Sequence, residues 1–140
     1  MQTKNATQVR KEWSSVTDAV IHEKPQFIKR TRDYMMLSNI DTISNILSAY
    51  SYHAEILVED NGSVTVALDE IDIVENDIDE EKALAKLASA ILDYSEEYYK
   101  DFSYWARGNR KAHLPYVLKA LIIGDVQKIG EAIECRHGEI

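Results

Sequence analysis

The segment KPQFIKRTRDYMMLSN, residues 24–39, carries the clearest structural pattern in the first part of the chain. Two short runs in it, QFIKRT and YMMLSN, are rich in strand-forming residues and are separated by Arg32-Asp33. Such runs around a tight turn predict a β-hairpin, although this turn contains neither glycine nor asparagine. Lys29, Arg30 and Arg32 make the hairpin basic in a chain whose formal charge is −8.

A helix is predicted immediately before the hairpin. Four apolar residues recur at spacings of three and four and would share one helical face: Val9, Trp13, Val16 and Val20. Asn5 is the expected N-cap, with Gln8 in the capping-box position. The residue before Pro25 is disfavoured in a helix, so this helix is expected to end near Glu23.

A second helix is predicted after the hairpin, in DTISNILSAY (residues 41–50), with Asn39 or Asp41 as its cap. Its expected apolar face consists of Ile43, Ile46, Leu47 and Tyr50. The first fifty residues therefore predict helix, two strands and helix, with a short strand in front. A unit of this size buries little core by itself and is expected to dimerise or to pack on a neighbour.

The second part of the chain, residues 51–140, predicts a sheet followed by helices. Strands are expected in YHAEILVE and SVTVAL around Asp60-Asn61-Gly62, because Asn-Gly favours hairpin turns, and in DEIDIV (residues 69–74). A long amphipathic helix is expected from Asp79 to Arg107. Its predicted buried stripe is Leu84, Leu87, Ile91, Tyr94, Tyr98 and Trp105. Two shorter helices, HLPYVLKALII and DVQKIGEAIE, complete an α+β fold.

Composition and charge limit the classes of protein. Hydrophobic residues make up 45% and charged residues 29%, as in soluble globular proteins. The apolar runs are too short for a membrane span, the N-terminus lacks a signal-peptide core, and the one cysteine, Cys135, suits a reducing compartment. A cytoplasmic protein without a membrane partner is predicted.

Charge is distributed unevenly along the chain. Residues 1–50 hold seven basic and five acidic residues, a net of +2, which leaves −10 for residues 51–140. Such asymmetry indicates different partners for the two parts, and a chance distribution of charges is the alternative.

The run ATQVRKEWSSVTDAVIHEKPQFIKRTRDYMMLSNIDTISNIL, residues 6–47, resembles the Phd/YefM family of bacterial antitoxins. That family has a small residue at the start, an arginine on an apolar-faced helix, a loop ending in proline, two strands and a short helix. The corresponding features here are Ala6, Arg10, Trp13/Val16/Val20, Pro25, FIKR, MMLSN and IDTISNIL. The resemblance covers roughly residues 3–50. The usual glycine of the hairpin turn is absent, with Thr31, Arg32 and Asp33 in its place.

The resemblance implies a dimer, or a higher homo-oligomer, of a two-domain antitoxin. Residues 1–50 would form the dimerising domain that binds operator DNA and represses its own operon, and residues 51–140 would bind a cognate toxin. The candidate DNA contacts are Thr7, Arg10, Lys11, Lys29, Arg30 and Arg32. Arg10 and Lys11 are expected near the start of the first helix, which can bind phosphate, and Arg10 is the best candidate to reach guanine edges. Paired hairpins would form a basic stripe along the DNA backbone.

The long second part departs from the family, whose members often end in a short, flexible toxin-binding tail. Residues 56–98, ILVEDNGSVTVALDEIDIVENDIDEEKALAKLASAILDYSEEY, resemble the antitoxin domain of HicB type. The proline and glycine usual in the third-strand region of that domain are missing. This second resemblance implies an additional α+β layer.

An aromatic-rich segment, YSEEYYKDFSYW (residues 94–105), is the candidate toxin-binding surface. Its spacings of three and four are typical of a core stripe, but Tyr99 and Tyr104 fall outside that stripe. Exposed aromatic residues are enriched at protein interfaces. Tyr99, Tyr104 and Trp105 are therefore the predicted partner contacts, and the acidic charge of this part suits a basic, RNA-cleaving toxin.

Two other interpretations stay open. Six carboxylates on the predicted sheet could hold Mg²⁺ for nuclease chemistry, although a hairpin turn and a solvated face also explain them: Glu55, Glu59, Asp60, Asp69, Glu70 and Asp72. The four histidines and Cys135 lack metal-ligand spacing, and no phosphate-binding glycine loop or nucleophile elbow is present. We therefore predict no catalytic residue, metal or cofactor. The remaining alternative is a stand-alone interaction or structural module that does not bind DNA.

Overall fold

The structure, a computed structural model, describes residues 1–138. The chain divides into two compact units, Met1–Ile46 and the part from Leu47 onward. Each unit has its own β-sheet and its own buried core. None of the helices in residues 1–138 is long and apolar enough to cross a lipid bilayer.

The first unit contains a three-stranded sheet and three helices. Its elements are β1 (Lys4–Asn5), α1 (Ala6–Lys11), α2 (Trp13–His22), β2 (Gln26–Arg30), β3 (Asp33–Leu37) and α3 (Ile40–Leu47), whose last residue, Leu47, is the first residue of the second unit. The sheet order is β1-β2-β3, with β1 parallel and β3 antiparallel to β2. The predicted hairpin, the helix after it and the short strand at the start of the unit are confirmed.

The core of the first unit is small. Its buried residues are Val9, Val16, Val20 and Ile28, with Ala6 and Leu37 packed against them. Both helix caps predicted here are confirmed: the side-chain oxygens of Asn5 and Asn39 accept hydrogen bonds from backbone N–H groups at 2.8 Å. A core of this size buries little apolar area.

The first helix is broken, contrary to prediction. Glu12 has φ −111° and ψ 30°, which ends α1 and separates it from α2. The break interrupts the apolar spacing, so Trp13 leaves the buried face and is 53% exposed. Gln8 does not complete a capping box, because its side-chain amide donates to the Glu12 carboxylate at 3.2 Å. The predicted face of α3 is also partly wrong: Leu47 is buried, but Ile46 is exposed.

The hairpin turn lies one residue earlier than predicted. Arg30 pairs with Asp33, so the two turn residues are Thr31 and Arg32. Thr31 has φ 56°, in the left-handed region that a β-branched residue rarely adopts. The backbone is therefore strained at the tip of the hairpin.

Thr31→Gly is expected to stabilise the protein. Glycine removes roughly 1–2 kcal/mol of left-handed strain and adds only about 0.5–1 kcal/mol of unfolded-state entropy. Arg32→Gly is the control, since Arg32 has no positive φ to relieve and only the entropy cost applies. Urea unfolding of both variants should separate them by about 1–2 kcal/mol, with Thr31→Gly the more stable. Equal destabilisation of the two would show that Thr31 is not strained.

The second unit contains a four-stranded sheet and a set of helices. Its elements are β4 (Tyr52–Val58), β5 (Val64–Leu68), β6 (Ile73–Asp77), α4 (Glu80–Lys100), α5 (Phe102–Trp105), a 3₁₀ segment (Gly108–His113), α6 (Leu114–Ile123), α7 (Val126–Glu131) and β7 (Ile133–His137). The sheet order is β6-β5-β4-β7. Strand β7 is parallel to β4, whereas the other pairings are antiparallel.

The core of this unit lies between the sheet and the helices. Buried residues of the strands, among them Tyr52, Ile56 and Val66, belong to one cluster with Leu87 and Ile91 of α4. The residues of the predicted helix stripe from Leu84 to Tyr98 are buried or half-buried. The Asp79 side chain accepts a hydrogen bond from the Lys82 N–H at 2.8 Å, which confirms the predicted start of the long helix.

The predicted bounds of three elements in this unit are wrong. Strand β6 begins at Ile73, because residues 69–72 form a turn in which Asp72 has φ 38°. The long helix ends at Lys100, because Asp101 has non-helical angles, and Phe102–Trp105 is a separate turn of helix. Residues 125–134 do not form one helix: α7 ends at Glu131 and β7 follows. β7 forms a strand because it pairs with β4, although its own sequence favours a strand only weakly.

Candidate functional site

The predicted DNA contacts on the first helix are exposed but lie elsewhere than expected. Arg10 and Lys11 are in the last turn of α1, not near its start. The six-residue length of α1 explains the difference, since the predicted helix was to continue to Glu23. Thr7 is in the first turn, and its N–H is occupied by the Asn5 side chain. Arg10 and Lys11 can therefore contribute charge and side-chain donors, but not a helix N-terminus.

The structure brings two of the predicted arginines to one groove. Arg10 of α1 and Arg30 of β2 both line a cavity of about 440 Å³, whose remaining lining is apolar: Ala6, Val9, Trp13, Ile28, Met35, Met36 and Leu37. Lys29 lies on the other face of the strand, where its ammonium group is 5.5 Å from the Tyr34 ring centroid. Arg32 is an exposed turn residue. The six candidates therefore do not form a single cluster within one copy of the unit.

Large apolar side chains are exposed on the first unit. Six of them come from α2 and the hairpin: Trp13, Ile21, Phe27, Tyr34, Met35 and Met36. Met35 pairs with Ile28 and Met36 with Phe27, so both faces of the hairpin carry apolar residues. Exposed apolar groups at this density mark an interaction surface more often than a free one.

The predicted partner contacts lie at the end of the long helix in the second unit. Tyr99 is 65% and Tyr104 54% exposed, and Trp105 is half-buried. Phe102, which was not predicted, is also exposed and packs edge-on against the buried Tyr98 with ring centroids 5.9 Å apart. Tyr99 lies within α4 but outside its buried stripe, whereas the end of α4 at Lys100 takes the residues from Phe102 to Trp105 out of that stripe.

Arg110 fixes two of these aromatic side chains. Its guanidinium carbon is 5.1 Å from the Tyr104 ring centroid and 4.8 Å from that of Trp105. It also donates to the Tyr104 carbonyl at 3.3 Å, and its own carbonyl accepts from the Tyr98 hydroxyl at 2.7 Å. Arg110 was not predicted from the sequence, because no local pattern indicates that a cation five residues from Trp105 folds back onto it.

Several of the carboxylates considered for a nuclease site pair with basic groups. His53 hydrogen-bonds Glu70 through Nδ1, and its Nε2 lies 2.9 Å from the Glu134 carboxylate. Arg136 lies 3.8 Å from Glu55 and 3.4 Å from Asp69. In residues 1–138 no group of three or more histidine, cysteine, aspartate or glutamate side chains is arranged to hold a metal ion.

Two histidines of this unit are expected to affect stability with opposite pH dependence. The hydrogen bond to Glu70 raises the pKa of His53 above its usual value, so the stabilisation by His53 is present below about pH 6.5 and is lost as pH rises through the raised pKa. Burial lowers the pKa of His113, so its contribution is present above about pH 6.5 and is lost as pH falls through the lowered pKa.

Urea unfolding of wild type, His53→Gln and His113→Gln from about pH 5 to about pH 9 measures both effects. The deficit of His53→Gln relative to wild type should shrink as pH rises, and that of His113→Gln should grow. The second substitution removes the imidazole that hydrogen-bonds the Tyr94 hydroxyl at 2.7 Å. Parallel pH profiles for the two variants would contradict the assignment.

Comparison with known proteins identifies the kind of protein to which these surfaces belong. Residues 1–135 match a family described as PHD-like, antitoxin of toxin–antitoxin, RelE/RelB, TA system. The chain belongs to this antitoxin family. The match spans residues of both structural units, so the antitoxin includes the folded second part.

A solved structure supports the same assignment for the antitoxin. The fold is similar to the crystal structure of an antitoxin from a candidate toxin/antitoxin system of Syntrophomonas wolfei subsp. wolfei, with a TM-score of 0.91 and 32% sequence identity. The alignment covers 99% of this chain and 100% of the other. No match was found among curated proteins. The antitoxin class is thus established, and the Phd/YefM type in particular stays a prediction.

Proposed function

We propose that this antitoxin neutralises a cognate toxin through its second unit and binds operator DNA as a dimer through its first unit. The observation that carries the proposal is the family match over residues 1–135, which includes both units. The antitoxin would repress its own operon in the cytoplasm and would act by binding, without a catalytic residue or a cofactor of its own.

The proposal of DNA binding rests on the exposed cations of the first unit. Arg10 and Arg30 line one groove, while Lys11, Lys29 and Arg32 are exposed nearby in the sequence. Two copies of the unit would bring together twice this number of cations, enough to follow a phosphate backbone and to release several counterions. Thr7 would add a hydrogen bond from its hydroxyl.

The proposal of a dimer rests on the apolar surface of the same unit. Only four apolar side chains of residues 1–46 are buried in its core, whereas Trp13, Phe27, Tyr34, Met35 and Met36 are exposed. A partner copy that covers these residues would supply the apolar burial that the 46-residue unit lacks by itself. The Phd/YefM resemblance predicts the same pairing.

The proposal of toxin binding rests on the aromatic surface at the end of α4. Tyr99 and Tyr104 are largely exposed, Trp105 is half-buried, and Arg110 holds Tyr104 and Trp105 in place. Fixed aromatic side chains lose little entropy on binding, and this is typical of residues that dominate interface energies.

Co-purification tests the toxin-binding part of the proposal. The full-length antitoxin carrying an affinity tag is co-expressed with the product of the gene adjacent to its own, and the eluate is separated by size-exclusion chromatography. We expect both chains in one peak of defined stoichiometry that survives moderate salt. Elution of the tagged chain alone, as a folded protein, would contradict toxin binding.

A further inference from the structure

We infer that the aromatic surface of the second unit binds an acidic segment of the partner protein. The surface is defined by Tyr99, Phe102, Tyr104, Arg107, Arg110 and Lys111. The inference rests on the proposed function, because it specifies the chemistry of the toxin segment that this surface would contact. The net charge of residues 51–140 predicts instead that this acidic unit covers a basic toxin.

The local charge of this surface is opposite to that of its unit. Residues 98–113 contain four basic residues, Lys100, Arg107, Arg110 and Lys111, and a single acidic residue, Asp101. The rest of residues 51–140 holds five basic and eighteen acidic residues. A partner segment that approaches Arg107, Arg110 and Lys111 within the screening distance of about 8 Å therefore meets positive charge, whereas the exposed Glu96 and Glu97, one turn before Lys100 on α4, border the surface on the side of Tyr99.

Three of these cations are without a carboxylate partner in the part of the chain that the structure describes. Throughout residues 1–138, Arg107, Arg110 and Lys111 form no salt bridge with a carboxylate. Arg107 uses its Nε to donate to the Ser103 carbonyl at 2.6 Å, and its terminal nitrogens donate to no other group among residues 1–138. Lys111 is exposed. An incoming carboxylate would find donors that are already oriented by the fold.

The aromatic residues beside these cations are held rigidly. Arg110 lies over Tyr104 and Trp105, and the Trp105 ring makes edge contacts with Tyr94 and Tyr104 at centroid distances of 5.7 and 5.4 Å. Phe102 packs against Tyr98. A rigid apolar centre with a rim of donors matches the anatomy of a protein-binding hot spot.

An acidic protein segment fits this surface better than a single-stranded nucleic acid. Base stacking requires free aromatic faces, and Arg110 already occupies one face of both Tyr104 and Trp105, which leaves Tyr99 and Phe102 as the exposed rings without this cation over them. A nucleic acid also carries charge along its whole length and would be repelled by the acidic remainder of the unit. A peptide segment with a few carboxylates needs to contact only the basic surface.

Charge reversal tests the sign of the interaction directly. Arg107→Glu/Lys111→Glu is compared with Lys82→Glu/Lys128→Glu, which changes the charge of the same unit equally at exposed positions outside the surface. Affinity for the purified product of the adjacent gene is measured by isothermal titration at two salt concentrations. For an acidic partner segment, the first variant should raise Kd by about tenfold or more and weaken its salt dependence, while the control changes Kd by less than about threefold.

Each other outcome would overturn the inference in a recognisable way. Tighter binding by Arg107→Glu/Lys111→Glu would mean a basic partner segment, and unchanged binding would place the toxin elsewhere on the antitoxin, with the proposed function intact. Failure of the wild-type antitoxin to bind would overturn the inference and the proposed function together. Salt-sensitive self-association, or binding of a poly(dT) oligonucleotide, that is lost only in Arg107→Glu/Lys111→Glu would assign the surface to a second copy or to nucleic acid.

Discussion

Arg10→Ala/Arg30→Ala is expected to weaken binding of the antitoxin to the DNA upstream of its gene by about a hundredfold or more at moderate salt. Each copy of this variant lacks the two cations that line one groove, so a dimer lacks four cations. If each cation neutralises a phosphate, the slope of log Kd against log salt should fall by roughly three to four. Fluorescence anisotropy titrations at several salt concentrations measure both quantities.

Lys4→Ala/Lys24→Ala is the matched control for this prediction. It removes the same charge from the first unit, but both lysines line a different groove, together with Pro25 and Phe27. We expect its affinity to fall by less than about tenfold. If the two double variants lose affinity equally, net charge and not the groove drives binding. If neither changes the affinity of a folded dimer, the first unit does not bind DNA through these arginines.

Ile133→Asp is expected to destabilise the second unit by about 3–4 kcal/mol, which is a large part of the stability of most domains of this size. Ile133 is buried in the main core, opposite Tyr52 in the register between β7 and β4. The substitution would place an unpaired carboxylate there and would weaken the attachment of β7 to the sheet. Urea unfolding monitored by tryptophan fluorescence and circular dichroism measures the loss.

Val74→Asp is the control for this second prediction. Val74 belongs to β6, the opposite edge strand of the same sheet, and its side chain is 59% exposed. The same chemical change should therefore cost less than about 1 kcal/mol. Equal stability of the two variants would contradict the packing of β7 against β4. A folded Val74→Asp variant together with a largely unfolded Ile133→Asp variant would support it.

Elements with strong local signals were predicted well from the sequence. Asn5 and Asp79 begin helices because their side chains cap backbone N–H groups. Gly62 has φ 85° in the β4–β5 turn, a conformation in which glycine is favoured. These features depend on a few neighbouring residues, so the sequence contains enough information to place them.

Features that depend on distant partners were not predicted. Strand β7 exists because it pairs with β4, about eighty residues earlier, and IECRH alone has little strand preference. The helix ends at Glu12 and Asp101 carry no glycine or proline, so the predicted helices continued through them. Because the helices end at Glu12 and Asp101, Trp13 is exposed and the buried stripe of α4 is shorter than predicted.

The candidate surfaces could be predicted only in part. The cations of the hairpin and the aromatic residues after Lys100 are visible in the sequence as clusters. The groove shared by Arg10 and Arg30 arises from packing between α1 and the hairpin, and the contact of Arg110 with Tyr104 and Trp105 arises from a chain reversal. Both depend on the folded structure.

The most direct test of the central claim, that this chain is an antitoxin which neutralises a toxin, is a growth assay. The product of the adjacent gene is induced in a bacterial host with and without full-length antitoxin expressed from a second promoter. We expect growth arrest by the first protein alone and restored growth when the antitoxin is present. Growth arrest that persists despite abundant, folded antitoxin, or no arrest by the neighbouring protein, would contradict it.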